Sequence, residues 1–288
     1  MRIPRTPLLS LSLFQTPLRP AYNSCSAYRA SFARYRPINC PAQRSMTSGS
    51  LEAKLNALQE YSACDISDAL LKIQKVPKGE TARAGFLADL VPYSPTHLTN
   101  LESQPKIIAP ASTFKFLSKN DLVPEDTSPS KDHSIPSGTH WVDWAQPGTI
   151  VFIEQPADQH CAALGGIMAA RMKVLGVKAA LVDGRVRDLV ELRSTQLQIW
   201  ARATSTVGTG AESKPGARNV PVNIGGVTVS PGDIAFCDPV EGAVVIPAEH
   251  LDEVLELMPK LVAADDKVKE DVLKGAKVFD AFKEHRGK

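Results

Sequence analysis

The segment from 147 to 184 constrains the fold most, because it alternates between two kinds of hydrophobic pattern. A turn and a strand of β-branched residues (PGTIVFIEQ) come first, followed by a helix over GGIMAARMKVLG (165–176) and a buried strand over VKAALVDG (177–184). Glycines open this helix, and Gly176 closes it at the C′ position. A strand, a helix and a strand in this order form a βαβ unit, which predicts parallel neighbouring strands and a right-handed crossover. The chain is therefore predicted to be an α/β protein.

Patterns on both sides of this unit extend the predicted fold. Upstream, apolar residues at helical spacing predict a helix over about 50–73 with a break at 62–65, and Asp65 and Ser67 are the candidate caps of its second half. The run IIAPASTFKFL (107–117) indicates a buried strand. Downstream, GGVTVSPGDIAFCD and GAVVIP indicate three strands around a Pro-Gly turn, and a helix with one apolar face follows from His250.

Two segments are predicted to lie outside the packed core. Residues 1–45 contain seven arginines, many serines and no acidic residue, which is typical of a mitochondrial transit peptide and predicts a disordered targeting segment. A secretory signal fits less well because the apolar stretch is short, and translation from Met46 would give a cytoplasmic form instead. Residues 118–140 are polar and rich in Pro and Ser, which predicts a mobile insertion within a single domain over 46–288.

Charge and composition argue against several classes of function. Beyond residue 45 the chain has 26 basic and 31 acidic residues, so it offers no electrostatic case for binding nucleic acid. No apolar run approaches the ~20 residues that span a bilayer, which argues against a membrane protein. The five cysteines are scattered and odd in number, so they predict neither a disulfide framework nor a zinc site. His160 and Cys161 are not expected to form a base–nucleophile pair, because adjacent residues on a strand point to opposite faces.

Two features suited to ligand binding are predicted at the same edge of the sheet. Gly165 and Gly166 open the helix, where the free backbone N–H groups of the first turn suit a carboxylate. Those N–H groups belong to Gly166, Ile167 and Met168. Arg187 and Asp188 follow the next strand, and ligands of open α/β sheets bind beyond the C-terminal ends of parallel strands. Arginine offers a fork of donors for an anion, and one carboxylate with mostly water ligands is a common way to hold magnesium.

Each feature also has a structural explanation when it is taken alone. Two glycines before a helix often serve packing, and an arginine beside an aspartate is often a surface ion pair of little energetic value. Arg202 in IWARATST has the same two interpretations, since it could line the active-site pocket or lie at a strand edge. The spacing of the residues therefore has to distinguish a site from ordinary packing.

That spacing resembles the pattern of one family. Gly166, twenty further residues, Arg187-Asp188, two residues and Glu191 match G-X20-R-D-X2-E/D. This is the pattern of the class II 4-hydroxy-4-methyl-2-oxoglutarate aldolases and the related regulator of ribonuclease E activity A (RraA) proteins. Further segments resemble the family in the same order, over about 60–280: DISDAL (65–70), IIAPASTF (107–114), WVDWAQPGTIVFI (141–153) and VSPGDIAFCDPVEGAVVIP (229–247).

The resemblance implies a three-layer β/β/α swivelling domain of the RraA-like type, assembled as a ring-shaped homotrimer with active sites between subunits. It implies that the backbone of Gly165, Gly166, Ile167 and Met168 binds the carboxylate of a small 2-oxo acid and that Arg187 holds the oxygens of this substrate. Asp188 would ligate Mg²⁺ or Mn²⁺, and Glu191 looks like a residue that steadies the metal waters or Arg187. Asp265 and Asp266 are the candidates for an acid that a neighbouring subunit contributes.

The function implied is that of a metal-dependent lyase that releases pyruvate, as an aldolase, an oxaloacetate decarboxylase or both. Both reactions leave the enolate of pyruvate, which a cation and Arg187 can stabilise without a covalent intermediate. Many of the aldolases have Asp or Glu where this chain has Gly166, and this departure affects the aldol reaction more than decarboxylation. The alternative is a non-catalytic regulatory protein, as the ribonuclease-binding relatives suggest; the retained Arg187, Asp188 and Glu191 favour an enzyme.

Overall fold

The structure, a computed structural model, describes four stretches of the chain: residues 50–76, 79, 81–122 and 132–287. Ser48–Lys288 forms one compact unit. The predicted targeting segment over 1–45 lies outside the described residues, and it stays a prediction. Among the helices of the described stretches, none is both long and apolar enough to cross a membrane.

Helices and strands alternate along much of the described chain. The α-helices are α1 (Leu51–Leu58), α2 (Ala63–Ile73), α3 (Gly166–Leu175), α4 (Leu189–Ser194), α5 (Leu251–Leu273) and α6 (Val278–Arg286). The strands are β1 (Val91–Ser94), β2 (Ile107–Ser118), β3 (Ile150–Glu154), β4 (Ala162–Leu164), β5 (Ala179–Val186), β6 (Gln198–Thr204), β7 (Ser213–Arg218), β8 (Val222–Ile224), β9 (Val227–Val229), β10 (Ile234–Asp238) and β11 (Gly242–Ile246). The predicted helix from His250 is α5, and the strands predicted around the Pro-Gly turn are β9, β10 and β11.

Within the described stretches, nine strands form one curled sheet in the order β1-β6-β5-β3-β2-β10-β11, in which β4 also pairs with β5 and β7 with β2. The strands β2, β3, β5 and β6 run parallel to one another, so the predicted parallel βαβ unit is confirmed. The hairpin of β10 and β11 joins β2 in antiparallel orientation. The strands β8 and β9 form a separate hairpin.

Three hydrophobic clusters show how the layers pack. One joins a face of β3, β5 and β6 to α3 and α4, and it includes Val182 and Met172. A second fills the inside of the curled sheet, where Trp200 of β6 and Val245 of β11 belong to the same cluster. The third joins β10 and β11 to α1, α2 and α5 around Phe236. Two halves of one sheet thus face each other with helices outside, and the predicted α/β class is confirmed.

The start of α2 differs from the prediction. Ser62, rather than Asp65 or Ser67, is the N-cap, with an extended backbone (φ −91°, ψ 166°) and a hydroxyl that accepts a hydrogen bond from the Asp65 N–H at 3.2 Å. The Asp65 carboxylate accepts in return from the Ser62 N–H at 2.8 Å, which completes a capping box. The helix therefore begins at Ala63, and the break between α1 and α2 covers 59–62, three residues earlier than the predicted 62–65.

The strand predicted over 177–184 extends further than expected. It continues through Gly184 to Val186, because β4 pairs with its last residues through Ala162 opposite Arg185 and Leu164 opposite Val186. The sequence pattern does not reveal β4, since three residues are too few to show an alternation. The pairing matters for function because it places the residues after β4 beside the residues after β5.

The predicted insertion over 118–140 is described only at its two ends. The strand β2 reaches Ser118, and on the far side the carbonyls of His133 and Ser134 accept hydrogen bonds from the Arg218 N–H (3.0 Å) and its Nε (2.9 Å). The residues between, 123–131, lie outside the described stretches, so the mobility expected there stays a prediction.

Candidate active site at the ends of β4 and β5

The two features predicted to bind a ligand lie side by side. The Arg187 N–H donates to the Leu164 carbonyl at 3.0 Å, which joins the end of β5 to the entrance of α3. Asp188 is the N-cap residue of α4, but its side chain makes no capping bond; its carboxylate oxygen Oδ2 accepts a hydrogen bond from the Gly166 N–H at 3.1 Å. The backbone of Asp188 is left-handed (φ 59°, ψ 47°), a conformation that Asp tolerates better than most residues. The structure therefore brings Arg187 and Asp188 to the N-terminus of α3.

The charged groups of this corner are open to a ligand. Arg187 Nε lies 3.5 Å from Asp188 Oδ2, and the two side chains are 43% and 38% exposed. Among the described residues, none donates a hydrogen bond to the other oxygen of Asp188, Oδ1. An ion pair this exposed contributes little to the stability of a fold. The pair therefore retains donors and an acceptor oxygen for other partners.

Two glycines leave the space that these side chains occupy. A Cβ on Gly165 would lie 2.7 Å from Asp188 Oδ2 and 3.3 Å from Arg187 Nε. A Cβ on Gly166 would lie 2.5 Å from the Cβ of Glu191, and it would overlap the Glu191 carboxylate. Neither glycine has a left-handed backbone, so close approach rather than conformation accounts for both. Glu191 lies over the first residue of α3.

The first turn of α3 offers fewer free N–H groups than the sequence suggests. The Gly166 N–H already donates to Asp188, whereas those of Ile167 and Met168 have no acceptor among the described residues. N–H groups of a first helical turn lack partners within the helix, and the helix dipole favours an anion there. Two of the three predicted N–H groups thus remain for a carboxylate.

Sequence reasoning missed the loop that follows β6, although it forms another wall of this corner. The Ser205 N–H donates to the Val186 carbonyl at 2.9 Å, and the Ala162 N–H donates to the Val207 carbonyl at 2.9 Å. The Thr209 hydroxyl donates to the Ala162 carbonyl at 2.6 Å. The loop has no hydrophobic pattern and is about twenty residues beyond Arg187, so nothing in the sequence links it to the site.

A separate polar cavity of about 450 Å³ lies at the ends of β3, β5 and β6. Its lining includes Gln155, Asp158, His160, Asp183, Arg185 and Arg202. Arg202 lines this separate cavity, whose lining does not include Arg187 or Asp188. Arg202 Nε donates to Asp183 Oδ1, and Arg202 Nη1 donates to Asp89 at 3.2 Å. Asp183 Oδ2 accepts in turn from the Gly225 N–H at 3.0 Å, so both of its oxygens have partners.

His160 and Cys161 do not form a base–nucleophile pair, as expected. The His160 side chain is 79% exposed and its Nδ1 lies 3.9 Å from Glu212, whereas Cys161 is fully buried beside the Gln155 amide. Burial raises the pKa of the Cys161 thiol, which disfavours the reactive thiolate. The Cys161 and His160 N–H groups donate to the Glu212 carboxylate at 2.7 and 2.6 Å, and these bonds lower the pKa of Glu212.

The two predicted inter-subunit acids are not next to Arg187 within one chain. Asp265 and Asp266 are on α5, which packs in the cluster of α1 and α2 rather than in that of α3 and α4. Asp265 forms an ion pair with Arg286 of α6, and Asp266 is exposed. Any contribution of these acids to the Arg187–Asp188 corner would have to come from another copy of the chain.

A second group of metal-ligand side chains was not predicted. One ligand atom from each of Asp271, Glu284 and His285 lies within 4.8 Å of the others, and His285 Nε2 is 2.7 Å from Asp271 Oδ2. The group forms because α6 folds back against α5 and brings together residues 13 and 14 positions apart. His285 and Asp271 already bond to each other, so the group has an explanation as an ion pair between helices.

The curled sheet with outer helices defines an α/β protein. The Arg187–Asp188 pair at the end of a parallel strand forms a corner suited to binding an anion and a cation. The family model described as "RraA-like: Aldolase/RraA" matches residues 63–245. The chain therefore belongs to the RraA-like family, as its motif spacing predicts.

Individual relatives are similar at modest identity. A protein of Halalkalibacterium halodurans named "Putative 4-hydroxy-4-methyl-2-oxoglutarate aldolase" is 31% identical over 164 residues, which cover 55% of this chain and 75% of that protein. Protein DlpA of Legionella pneumophila is 22% identical over 245 residues, which cover 85% of this chain but 36% of DlpA.

Solved structures show the same fold. An uncharacterized protein of Pseudomonas syringae superposes with a TM-score of 0.59 at 20% identity, over 80% of this chain and 96% of that one. RraAS2 of Streptomyces coelicolor, described as an unusual member of the RNase ES inhibitor RraA protein family, superposes with a TM-score of 0.55 at 24% identity, over 76% of this chain and 95% of that one. At these identities the similarity concerns the fold and not the activity.

Proposed function

We propose that the chain is a divalent-metal-dependent carbon–carbon lyase that cleaves small 2-oxo acids to pyruvate. Oxaloacetate decarboxylation is the reaction that its site supports best, and cleavage of 4-hydroxy-4-methyl-2-oxoglutarate comes second. One observation carries the proposal: a half-exposed Arg187 and Asp188 lie together at the N-terminus of α3, with free hydrogen-bonding atoms. The name of the Halalkalibacterium relative supports the same class of reaction.

The proposed roles follow from which groups are free. The N–H groups of Ile167 and Met168 bind the carboxylate next to the 2-oxo group, since the helix terminus favours an anion. Arg187 donates to the 2-oxo oxygen, where negative charge develops as the enolate of pyruvate forms. A guanidinium next to that oxygen stabilises the charge in the transition state more than in the bound substrate, and it therefore accelerates the reaction.

Asp188 fits the role of a magnesium or manganese ligand. Its Oδ2 accepts from the Gly166 N–H, its Oδ1 has no donor among the described residues, and its side chain is exposed enough for water to complete a coordination shell. Magnesium is commonly held by one or two carboxylates with several waters. When bound, the cation would supply Lewis-acid stabilisation of the enolate charge.

Glu191 bears on which reaction is favoured. Its carboxylate occupies the space next to Gly166, the position at which many of the aldolases have an acid. The corner therefore has no room for a second carboxylate on α3 without displacing Glu191. Decarboxylation needs no base for a 4-hydroxyl group, whereas retro-aldol cleavage does. The arrangement around Gly166 thus supports oxaloacetate ahead of the 4-hydroxy substrate.

A homotrimer with the sites between subunits is part of the proposal. Ile167 and Val190, in the first turns of α3 and α4, are 74% and 83% exposed, and they are one and two residues from Gly166 and Asp188 in sequence. Exposed apolar side chains beside a site fit a subunit interface. A neighbouring subunit would then contribute Asp265 or Asp266. Light scattering after size-exclusion chromatography tests the assembly, and a mass of one chain at micromolar concentration contradicts it.

We also propose that residues 1–45 direct the protein to mitochondria, and that initiation at Met46 gives a cytoplasmic form. The seven arginines and the absence of acids in 1–45 support this localisation. Fluorescent fusions that begin at Met1 and at Met46 test it. Equal distribution of the two fusions contradicts it.

The enzymatic proposal is tested by pyruvate release from oxaloacetate with Mg²⁺ and with EDTA, after subtraction of an enzyme-free reaction at the same Mg²⁺ concentration. Asp188→Asn is compared with Asp158→Asn, because both aspartates have a left-handed backbone that asparagine also tolerates. Chelation and Asp188→Asn should remove the enzyme-dependent rate, and Asp158→Asn should retain it. A rate unaffected by chelation and by Asp188→Asn sinks the proposal, and an inactive wild-type protein favours the regulatory alternative.

A further inference from the structure

We infer that Gly208 is a positioning residue for Arg187: the absence of a side chain at this position determines where the guanidinium lies. The inference rests on the proposed function for its effect on activity, since Arg187 is the group assigned to the substrate. Gly208 does not belong to the motif that includes Arg187, and it is in the loop after β6.

The guanidinium of Arg187 lies against the backbone of Gly208. A Cβ on Gly208 would be 3.0 Å from Nη1, 3.4 Å from Cζ and 3.7 Å from Nη2 of Arg187. Gly208 itself has φ −76° and ψ 155°, an extended backbone that any residue adopts. The conformation therefore gives no reason for glycine, and the contact with Arg187 is what a side chain would disturb.

The loop cannot easily retreat from a new side chain. Hydrogen bonds on both sides of Gly208 attach it to β4, from the Ala162 N–H to Val207 and from the Thr209 hydroxyl to Ala162. The Val207 N–H also donates to the Ser205 hydroxyl at 3.0 Å. A side chain at 208 would therefore displace Arg187, whose guanidinium is at the end of a flexible, half-exposed side chain.

A second glycine contacts the same arginine nearer to its backbone. A Cβ on Gly165 would lie 3.3 Å from both Cγ and Nε of Arg187, so Gly165 is next to the stem of the side chain while Gly208 is next to its head. Two glycines, 43 positions apart in sequence, thus bound the path of one side chain. The direction in which Arg187 presents its donors depends on both contacts.

A small displacement of Arg187 should be visible in catalysis. An alanine methyl group requires a shift of a few tenths of an ångström, and a valine side chain requires more. Because rates depend steeply on how catalytic groups are oriented, Gly208→Ala should lower kcat/KM about 3-fold and Gly208→Val more than about 10-fold. The loss should grow with the size of the side chain at 208.

Gly210 provides a matched control in the same loop. A Cβ on Gly210 would have no atom within 4 Å, and Gly210 has no left-handed backbone. Gly210→Ala and Gly210→Val should therefore change kcat/KM by less than about 2-fold. In an Arg187→Lys background there is no guanidinium to displace, so Gly208→Ala should cost less than about 2-fold there as well.

Crystal structures of Gly208→Ala and Gly208→Val give the deciding readout, because they do not depend on activity. The inference expects a displaced guanidinium around an otherwise unchanged loop, and an Arg187 that stays in place overturns it. A loss of activity that persists in the Arg187→Lys background also overturns it. If the guanidinium moves but the wild-type protein releases no pyruvate, the placement of Arg187 stands and the proposed function fails. Should Gly208→Val not fold, Gly208→Ala carries the test alone.

Discussion

Two arginine–aspartate pairs lie near the ends of β5 and β6, and they differ in how fully their polar atoms are used. In the first pair, Asp183 is 15% exposed, and its two oxygens accept hydrogen bonds from Arg202 and from the Gly225 N–H. In the second pair, Asp188 is 38% exposed and lies 3.5 Å from Arg187, with one oxygen that has no donor among the described residues. The same two residue types thus occur in a closed and an open arrangement.

The difference separates a structural pair from a candidate site. The closed pair joins strands to the turn of the β8–β9 hairpin, and removal of Arg202 would leave the largely buried Asp183 carboxylate without its charged partner. The open pair has little to contribute to stability, because its groups are solvated and loosely bonded. Charged groups left free beside a helix N-terminus are therefore better evidence of function than the presence of an Arg–Asp pair.

The largest expected effect comes from replacing the aspartate of each pair with asparagine. Asp188→Asn should lower kcat/KM for oxaloacetate by about 100-fold or more, because it removes the proposed cation ligand, while the melting temperature is unchanged. Asp183→Asn should lower the free energy of unfolding by about 1 kcal/mol, because it weakens two hydrogen bonds, one exposed and one partly buried, with the activity of the folded fraction retained. Denaturant titration and steady-state kinetics on both variants check this. Loss of activity in Asp183→Asn rather than in Asp188→Asn would contradict the assignment of the closed pair to structure and the open pair to function.

Substitutions of the two arginines should likewise differ, one affecting kcat/KM and the other affecting the free energy of unfolding. Lysine keeps the charge but lacks the planar fork of donors, so Arg187→Lys should lower kcat/KM about 10-fold. Arg202→Lys should leave kcat/KM unchanged and lower the free energy of unfolding by less than about 1 kcal/mol, because the Asp183 and Asp89 contacts become weaker. Equal kinetic losses in the two variants would show that the cavity and the Arg187 corner act as one site.

An acidic side chain at position 166, the first residue of α3, tests the assigned contact between Gly166 and Glu191 in the open corner. Gly166→Asp should lower kcat/KM by several-fold, because the new side chain displaces Glu191, although an acid at the first helical position is itself favoured by the helix dipole. The double variant Gly166→Asp with Glu191→Gly removes both the Cβ and the carboxylate that the new side chain would meet, so it should be more stable than the sum of the two single substitutions predicts. Glu191→Gly alone is the control. A gain in 4-hydroxy-4-methyl-2-oxoglutarate cleavage by Gly166→Asp alone would contradict the assigned contact.

The smallest expected effect concerns Glu212. Its carboxylate accepts hydrogen bonds from the backbone just before β4, between the cavity that Arg202 lines and the Arg187–Asp188 corner. Hydrogen bonds from Cys161 and His160 lower its pKa, so its contribution to stability is present above the pKa of the unfolded state and is lost as pH falls through the folded pKa. Glu212→Gln should therefore show a shallower loss of stability below about pH 5. Urea titrations at a series of pH values measure this, with the exposed Glu102→Gln as the control. Parallel pH profiles for wild type and Glu212→Gln would argue against the bonds.

The sequence predicts those parts of the fold in which one pattern runs long enough. The parallel unit of β3, α3 and β5 and the long helix α5 follow from hydrophobic periodicity and glycine positions. The strand β4 does not, because three residues show no period, and β5 extends past its predicted end because Gly184, which indicates a turn in the sequence, lies within the strand. The cap of α2 was misplaced because Ser62 and Asp65 cap reciprocally, and the pattern does not show which of them is outside the helix.

The sequence predicts the position of the candidate site because the C-terminal ends of neighbouring strands meet at one edge of a parallel sheet. That rule places Gly165 and Gly166 near Arg187 and Asp188, and the hydrogen bond from the Gly166 N–H to Asp188 shows the meeting point. It does not reveal that this bond uses one of the N–H groups expected to bind substrate. Nor does it reveal Gly208, because a loop glycine with no pattern around it resembles any turn residue.

Binding of Mn²⁺ tests the central claim most directly, since the claim is that the open Asp188 corner holds the cation. The electron paramagnetic resonance signal of free Mn²⁺ should decrease on addition of the wild-type protein, and equally with Asp183→Asn or His285→Ala. It should stay at the level of free Mn²⁺ with Asp188→Asn. Mn²⁺ binding that survives Asp188→Asn, or that disappears with His285→Ala in the Asp271 group, would contradict the account.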